Sequence, residues 1–155
     1  MSIEIKKSSK FINYDYAMNF LEKRVIKIRE KRAKEILWVL EHPNIYTAGT
    51  SYKNSEIFDK NLKIIKSNRG GKITWHGPGQ KVFYFAIDLN KRKRDIRNFV
   101  NIIEKSIIDT LTEYNIKSFP DRKNIGIWTG NNNNAKKIAA IGLKIKRWVA
   151  YHGFS

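Results

Sequence analysis

The 155-residue sequence contains no cysteine, so it excludes a disulfide framework, a thiolate metal site and, within these residues, a cysteine nucleophile. Its longest apolar runs, residues 36–40 and 82–87, are far too short to span a membrane. Residues 1–20 lack the apolar core of a signal peptide. No group of His, Asp and Glu has the spacing of a metal site. These absences favour a soluble cytoplasmic protein that binds no metal and no membrane.

Acidic residues are scarce, since 14 Asp and Glu stand against 31 Lys and Arg and give a formal net charge of +17. A positive field of this size attracts nucleic acid, an anionic membrane or an acidic protein. A genome that favours Lys, Ile and Asn explains much of the charge equally well. The charge alone therefore identifies no partner.

The chain has no internal repeat and no linker rich in proline or glycine, while hydrophobic residues make up 41% of it. This composition provides enough apolar side chains for a packed core. We therefore expect a single domain over residues 1–155.

Apolar residues at helical spacing predict a helix over 16–28 and a longer one over 95–114, with Asp95 as its N-cap. Apolar runs bounded by turn residues predict strands, and residues 131–134 predict a loop between the last two. The predicted strands cover 35–40, 64–65, 82–89, 126–128 and 137–145. Helices and strands without a strict alternation predict an α/β fold of the α+β kind, with a mixed sheet.

The most unusual segment is RGGKITWHGPGQ, residues 69–80, which lies between two predicted strands. Its glycines allow a backbone to approach a ligand closely, and their N–H groups can hold a carbonyl or a developing oxyanion. Arg69 can bind an anionic or amide-bearing ligand, and His76 can donate a hydrogen bond or move a proton. The alternative is a pair of structural hairpin turns. The segment matches neither the GxxxxGK[ST] nor the GxGxxG phosphate-binding pattern.

Two further segments carry candidate residues. In KKIAAIG, residues 136–142, a lysine at the start of a strand can depress the pKa of a thiol or activate a nucleophile, although most such lysines are simply solvated. Gly142 suggests a close approach by another backbone or by a ligand. The apolar stretch 148–155 contains His152, which on its own is more often a structural histidine than a catalytic one.

Together these segments resemble the lipoyl(octanoyl) transferases, the acyltransferases of lipoate biosynthesis. The resemblance is carried by NRGGKITWHGPGQKVFYFAIDL, NIGIW and KKIAAIGLKIKRWVAYHGFS, and LEHPNIYTAGT is similar to an earlier strand and loop of that family. It covers roughly residues 35–155 in the same order and spacing.

The resemblance implies the catalytic domain shared with biotin and lipoate protein ligases, and a reaction that needs no cofactor. An octanoyl group would leave acyl carrier protein, rest on an enzyme cysteine and pass to a lysine of a lipoyl domain in 2-oxoacid dehydrogenases or the glycine cleavage system. Lys137 would lower the pKa of that cysteine. The substrate-binding residues would be Arg69, Gly70, Gly71, Lys72, Ile73, Thr74, Trp75, His76, Ala140, Ile141, Gly142, Gly153, Phe154 and Ser155.

The family's catalytic cysteine lies downstream of the HG pair, and this sequence stops at Ser155 without one. We therefore expect either the greater part of a transferase domain that lacks its C-terminal portion or an inactive remnant. Two other functions stay open. One is an ATP-dependent lipoate or biotin ligase, which HGPGQ and KIAAIG together fit less well. The other is a basic nucleic-acid-binding module, which rests on charge alone and implies no specific nucleic-acid target.

Overall fold

A computed structural model describes residues 2–131 and 134–155. The chain divides into two compact units, one formed by residues 1–92 with 142–155 and one by residues 93–141. The single domain predicted over 1–155 stays a prediction, and each unit is described by itself below.

The first unit contains a main sheet with the strand order β1-β2-β6-β11-β10 and a small sheet with the order β4-β3-β5. Strand β1 runs parallel to β2, whereas β6 is antiparallel to both β2 and β11. Its elements are β1 (Ile3–Lys7), α1 (Tyr14–Arg29), β2 (Glu35–Leu40), β3 (Ile45–Ala48), β4 (Ile64–Lys66), β5 (Ile73–His76), β6 (Val82–Asp88), β10 (Ile141–Lys146) and β11 (Val149–Phe154), with 3₁₀ turns at Asn54–Glu56 and Leu89–Lys91.

Helix α1 lies on one face of the main sheet, and its sequence explains why. Asn13 caps the helix by accepting a hydrogen bond from the backbone N–H of Tyr16 at 3.1 Å. Leu21, Val25 and Ile28 follow at steps of one helical turn and are buried against the sheet. Burial of one such side chain contributes about 2 kcal/mol. The main core of the unit therefore lies between α1 and the central strands.

The small sheet positions the glycine-rich segment. Strand β3 lies between β4, to which it is parallel, and β5, to which it is antiparallel. The chain turns through residues 67–72 between β4 and β5, and through residues 77–81 between β5 and β6. Both predicted turns therefore connect strands of the first unit.

The second unit consists of α2 (Ile96–Glu113) and a small antiparallel sheet of β7 (Ser118–Pro120), β8 (Ile127–Thr129) and β9 (Lys136–Ala139). Asp95 caps α2 as predicted, by accepting from the N–H of Asn98 at 2.9 Å. Of the predicted apolar stripe, only Ile103 and Ile107 are fully buried.

Three sequence predictions need correction or restriction. The single strand predicted over 137–145 is wrong, because Ala140 interrupts it and separates β9 from β10. The strand predicted over 82–89 ends at Asp88, where the Asp88 side chain accepts the N–H of Asn90 and begins a 3₁₀ turn. The predicted loop over 131–134 lies partly outside the described residues, because Asn132 and Asn133 are not among them.

Within the described part of the chain, no helix is both long and apolar enough to cross a membrane. The same residues contain no group of three or more His, Cys, Asp or Glu side chains arranged to hold a metal ion.

Candidate active site

A cluster of polar side chains is buried in the first unit, next to its aliphatic core. Tyr14, His42, Arg69, His76 and Tyr84 are each at most 8% exposed. The His42 ring centroid lies 5.4 Å from that of Tyr14, 5.7 Å from that of His76 and 5.6 Å from that of Tyr84. Buried polar groups of this kind persist where they satisfy one another or serve a ligand.

Arg69 holds the only cationic side chain of this cluster, and backbone and hydroxyl oxygens fix it in place. Its guanidinium donates to the carbonyl of Gly70 at 2.9 Å, to the carbonyl of Thr47 at 3.0 Å and to Thr47 Oγ1 at 2.8 Å. Among residues 2–131 and 134–155, no carboxylate forms an ion pair with it. Burial lowers the pKa of this guanidinium, which nevertheless stays charged at any working pH. The site therefore presents a fixed positive charge that no carboxylate of the described residues neutralises.

Glycines make room for Arg69. A β-carbon at Gly49 would lie 2.4 Å from the carbonyl oxygen of Gly71 and 2.7 Å from Arg69 Nη1. A β-carbon at Gly142 would lie 3.0 Å from the carbonyl oxygen of Gly70 and 3.3 Å from Arg69 Cδ. The close approach that the sequence suggested at Gly142 is thus made by the backbone and side chain of the Arg69 turn.

Some of the glycine N–H groups already have protein partners. The N–H of Gly70 donates to the carbonyl of Leu143 at 2.9 Å. That of Gly79 donates to the Glu41 carboxylate at 2.8 Å. An oxyanion at this site would therefore be met by other donors, of which the Arg69 guanidinium is the strongest.

His76 ends strand β5 inside the cluster. Its Nδ1 lies 2.7 Å from Gln80 Oε1, so the ring donates from this nitrogen to an oxygen that accepts. Burial, with smaller contributions from His42 and Arg69, lowers the pKa of His76 to about 4, although the bond with Gln80 acts in the opposite direction. The imidazole is therefore neutral at pH 7 and adds no second positive charge beside Arg69.

His42 and Tyr84 form a buried pair in the same cluster. His42 Nδ1 lies 2.5 Å from the carbonyl oxygen of Ile12, and His42 Nε2 lies 2.9 Å from the Tyr84 hydroxyl. Burial lowers the pKa of His42 and raises that of Tyr84 well above its usual range. Both groups are therefore neutral, and their bond joins strand β6 to the segment that follows β2.

His152 lies in β11 with two unusual properties. Its backbone has φ 69°, which a non-glycine residue rarely adopts within a strand. Its Nε2 lies 2.6 Å from Asn68 Oδ1, whereas its buried Nδ1 has no hydrogen-bond partner in the part of the chain that the structure describes. Burial lowers the pKa of His152 to about 3, with smaller contributions from Arg69 and Lys144. A strained residue with an unsatisfied buried nitrogen is typical of a functional position.

In the second unit, Lys137 lies on β9. Its ammonium donates to the carbonyl of Ile125 at 2.9 Å and lies 5.0 Å from the centre of the Trp128 ring. Although the residue as a whole is exposed, partial loss of water around the ammonium lowers its pKa, while Asp121 acts in the opposite direction. The amine is thus held in one direction rather than extended freely into water.

Residues 13–155 match the family described as the lipoyl protein ligase A/B catalytic domain. The chain belongs to this family. The octanoyltransferase of Novosphingobium aromaticivorans is 43% identical over 155 residues, which cover 99% of this chain and 70% of that protein. The octanoyltransferase of Anaplasma phagocytophilum is 45% identical, with 99% of this chain and 74% of that protein covered.

Solved structures of the family share the fold. A bi-partite lipoate protein ligase of Thermoplasma acidophilum superimposes with a TM-score of 0.68 at 13% identity, over 99% of this chain and 61% of that chain. A lipoate-protein ligase A bound with ATP gives 0.64 at 13% identity, over 97% of this chain and 65% of that chain. At such identities the likeness concerns the fold alone, and it confirms the predicted mixed α/β ligase-like class.

The site residues that the resemblance implied lie in both units of the structure. Arg69 and His76 are buried in the first unit, and Gly142 and Gly153 lie there on β10 and β11. Gly70, Gly71 and Lys72 form the turn before β5, Ile73, Thr74 and Trp75 lie in β5, and Phe154 and Ser155 end the described chain. Lys72 is exposed and pairs with Glu56. The second unit contains Lys137, Ala140 and Ile141, the last of which is also the first residue of β10. Their roles in substrate binding stay predictions.

Sequence reasoning missed Tyr14, His42, Thr47 and Tyr84 as members of the cluster. Tyr14, Thr47 and Tyr84 lie in a helix or a strand, where the apolar pattern of the neighbouring residues predicts only a packing role. Of the four, His42 gave the best sequence signal, because a histidine placed between a buried strand and Pro43 must face either the protein interior or the solvent. Nothing in the sequence decides between these two directions, since the partner Tyr84 is 42 residues away.

Proposed function

We propose that this chain moves an octanoyl group from acyl carrier protein to a lysine of lipoyl domains, as an octanoyltransferase of lipoate biosynthesis. The observation that carries the proposal is the identity of 43% and 45% with two octanoyltransferases over 99% of the chain. The buried cluster around Arg69 lies within this matched region.

The geometry of the first unit suits the binding of an acyl carbonyl group. Arg69 supplies a fixed cation that pairs with no carboxylate in the described part of the chain, so its field favours an oxygen that gains negative charge. His42 and His76 are neutral, so neither repels a further donor or cation. Such a site stabilises a tetrahedral intermediate better than the planar thioester from which it forms.

The transfer we propose takes two balanced steps. A thiolate attacks the carbonyl carbon of the octanoyl thioester, and the carrier's thiolate leaves. The neutral amine of a lysine then attacks the enzyme thioester, loses a proton, and the enzyme thiolate leaves. The nucleophile of this scheme is a cysteine, and the 155 residues contain none. The matched relatives are longer, since the chain covers 70% and 74% of their lengths.

We propose that Lys137 favours the thiolate form of this cysteine. An ammonium close to a thiol lowers the pKa of that thiol, and a lysine whose own pKa is lowered also gives up a proton more readily. The bond to the Ile125 carbonyl and the contact with Trp128 restrict the direction of this amine. Ala140 and Ile141, which follow in the same segment, are proposed to contact the acyl substrate.

We infer that the carrier and acceptor proteins are acidic, because the chain carries a net charge of +17. Complementary charge increases the rate of encounter between proteins and makes it sensitive to salt. No specific nucleic acid, membrane or bound cofactor is part of this proposal.

The first experiment measures the intact protein isolated from its natural source. We expect a mass above 18.2 kDa and a thiol that titrates, together with octanoyl transfer from the carrier to a lipoyl domain without ATP. A mass of 18.2 kDa without a thiol and without transfer would instead identify an inactive remnant. Transfer that requires ATP and releases pyrophosphate would identify a ligase.

The role of Lys137 is tested in the same intact protein. Lys137→Ala is expected to reduce the rate of acyl loading by about a hundredfold or more, because the thiol then ionises less readily. Lys136→Ala is the matched control, since Lys136 is the exposed neighbouring lysine on the same strand, and its rate should match that of the unmodified protein. The rate is followed from pH 6 to 9 by release of the free carrier thiol. Full activity of Lys137→Ala across this range would remove the assignment.

A further inference from the structure

The loop between β3 and β4, residues 49–63, carries the most exposed large apolar side chain among residues 2–131 and 134–155. Phe58 is 99% exposed, and Leu62, four residues later, is 39% exposed. Single exposed apolar residues are ordinary on protein surfaces, so exposure alone identifies no site. Two further features distinguish Phe58: the loop around it is folded by its own hydrogen bonds, and the loop is attached to the candidate site.

Short-range hydrogen bonds fix the loop on either side of Phe58. Before it, the N–H of Lys53 donates to the Glu56 carboxylate at 3.1 Å, and the N–H of Glu56 donates to the carbonyl of Lys53 at 2.9 Å. These two bonds close a 3₁₀ turn. After Phe58, the N–H of Asn61 donates to Asp59 Oδ1 at 2.9 Å. Phe58 therefore projects into water from a folded loop, so its binding to a partner would order little additional backbone.

The same loop is attached to the turn that carries Arg69. At the start of the loop, the N–H of Thr50 donates to the carbonyl of Arg69 at 2.9 Å. In its middle, Glu56 forms an ion pair with Lys72, which belongs to that turn. Phe58 follows Glu56 by two residues, so their backbones lie within about 7 Å of each other. A protein bound at Phe58 would therefore lie beside the turn from which Arg69 enters the candidate site.

The charge of this part of the chain is strongly positive. Residues 49–72 contain six Lys and Arg but only two Asp and Glu. Three of the lysines, Lys53, Lys60 and Lys63, belong to the loop itself, are exposed, and form no ion pair among the described residues. An exposed aromatic ring with unpaired cations on either side along the chain is complementary to an acidic protein surface that has an apolar centre.

We propose that this loop is the docking site for the acidic carrier protein that donates the acyl group, with Phe58 as the apolar anchor and Lys60 and Lys63 at its rim. The inference rests on the proposed function, because the carrier is the partner that must bring an acyl thioester to Arg69. That thioester carries an apolar chain, and Phe58 and Leu62 offer apolar surface on the loop attached to the Arg69 turn. An anionic membrane fits less well, because two apolar side chains give it little area to bury.

The kinetics of the intact protein test this docking site. Phe58→Ser is expected to raise KM for the octanoyl carrier protein by about tenfold or more, because the anchor of the interface is lost. Both kcat and KM for the octanoyl thioester of a small thiol should stay unchanged, since this donor does not need the loop. Phe11→Ser is the matched control, because Phe11 is also exposed, at 56%, but belongs to another segment of the same unit. An equal loss with both donors, or no loss with the carrier, would overturn the inference.

A binding measurement separates the docking site from the proposed function. In calorimetry with the carrier free of its acyl group, Phe58→Ser should weaken the affinity of the intact protein by about tenfold. Lys60→Glu combined with Lys63→Glu should also weaken it and reduce its dependence on salt. Binding of the carrier through Phe58 in a protein that transfers no acyl group would reject the proposed function and keep the docking site. If Phe58→Ser weakens binding only to a lipoyl domain, or only to vesicles of phosphatidylserine and phosphatidylcholine, the carrier is not the occupant and the proposal is wrong.

Hydroxyl-radical labelling shows whether Phe58 is free in the intact protein. We expect strong labelling of Phe58 in the protein alone and clearly weaker labelling once the carrier is added, whereas Phe11 should be labelled equally in both samples. Protection of Phe58 before any carrier is added would show that another part of the protein covers the loop, and would overturn the proposal.

Discussion

At the scale of single residues, burial of the Arg69 charge lowers the stability of the fold while it creates a feature of the candidate site. Its neighbours satisfy it with three oxygens, but no described carboxylate offsets the removal of its charge from water. The residue is therefore expected to serve the ligand more than the fold. A similar conflict exists at His152, where a strained backbone and an unsatisfied nitrogen occur together.

Replacing Arg69 tests this conflict. Arg69→Met keeps a long flexible side chain and removes the buried charge, so the free energy of unfolding should stay within about 1 kcal/mol of the original value or rise. Octanoate binding by the same variant should weaken by about tenfold or more, because the fixed cation is gone. Urea unfolding and calorimetry measure the two quantities. A loss of stability beyond about 3 kcal/mol would show instead that Arg69 holds the fold together.

At the scale of elements, the site depends on how closely strands β3 and β10 approach the turn between β4 and β5. Gly49 follows β3 and Gly142 belongs to β10, and both face the Arg69 turn without a side chain in between. The distances to the added β-carbons predict a graded effect of alanine at these two positions. Neither residue has a left-handed backbone, so each substitution tests space alone.

Gly49→Ala is expected to destabilise the protein by about 1–3 kcal/mol, because its β-carbon would lie 2.4 Å from a backbone oxygen that cannot move easily. Gly142→Ala should cost less, since its closest contact would be 3.0 Å. Urea unfolding of the two variants gives the comparison. If Gly49→Ala proves as stable as the unmodified protein, the backbone of the turn can move away from the added β-carbon, and the prediction is wrong.

The elements also show what the sequence could reveal. Helices α1 and α2 and strands β2 and β6 were predictable, because local periodicity and capping residues determine them. The strand predicted over 137–145 was wrong, because residues 138–141 are all apolar and contain no signal for the interruption at Ala140. Arg69, His76 and Gly142 were found from their chemistry and spacing. His42 and Tyr84 were not, since their role depends on a pairing that only the folded sheet creates.

At the scale of the whole molecule, the three histidines of the sequence are all buried and all have a lowered pKa. The titratable or charged groups that face them are Tyr14, Tyr84 and Arg69 in the central cluster and Tyr151 and Lys144 beside His152, while the Ile12 carbonyl and the Gln80 amide oxygen partly oppose the lowering at His42 and His76. None of these groups is an acid that would favour a protonated histidine. The folded state therefore resists protonation, whereas the unfolded chain accepts protons near pH 6.5.

The free energy of unfolding should decrease as the pH falls. Burial of the neutral histidines makes its full contribution to this free energy above pH 6.5, and the contribution is lost as the pH falls toward about 4, the pKa of His76 in the folded protein. Each histidine adds a slope of up to about 1.4 kcal/mol per pH unit. Urea midpoints at pH 7.5, 6.0 and 5.0 should therefore fall steadily, before most carboxylates titrate. His76→Gln should flatten the slope, and a constant midpoint between pH 7.5 and 5.0 would contradict the buried neutral histidines.

The hydrogen bonds that assemble the Arg69 cluster join distant parts of the chain. Tyr14 and Ser67 are 53 residues apart, and Asn68 and His152 are 84 residues apart. Closing such loops is slow and depends on long-range strand pairing. During synthesis, residues 1–148 must be made before β11 can pair with β6 and bring His152 to Asn68. A nascent chain that has not yet reached β11 therefore lacks the hydrogen bond between these two residues.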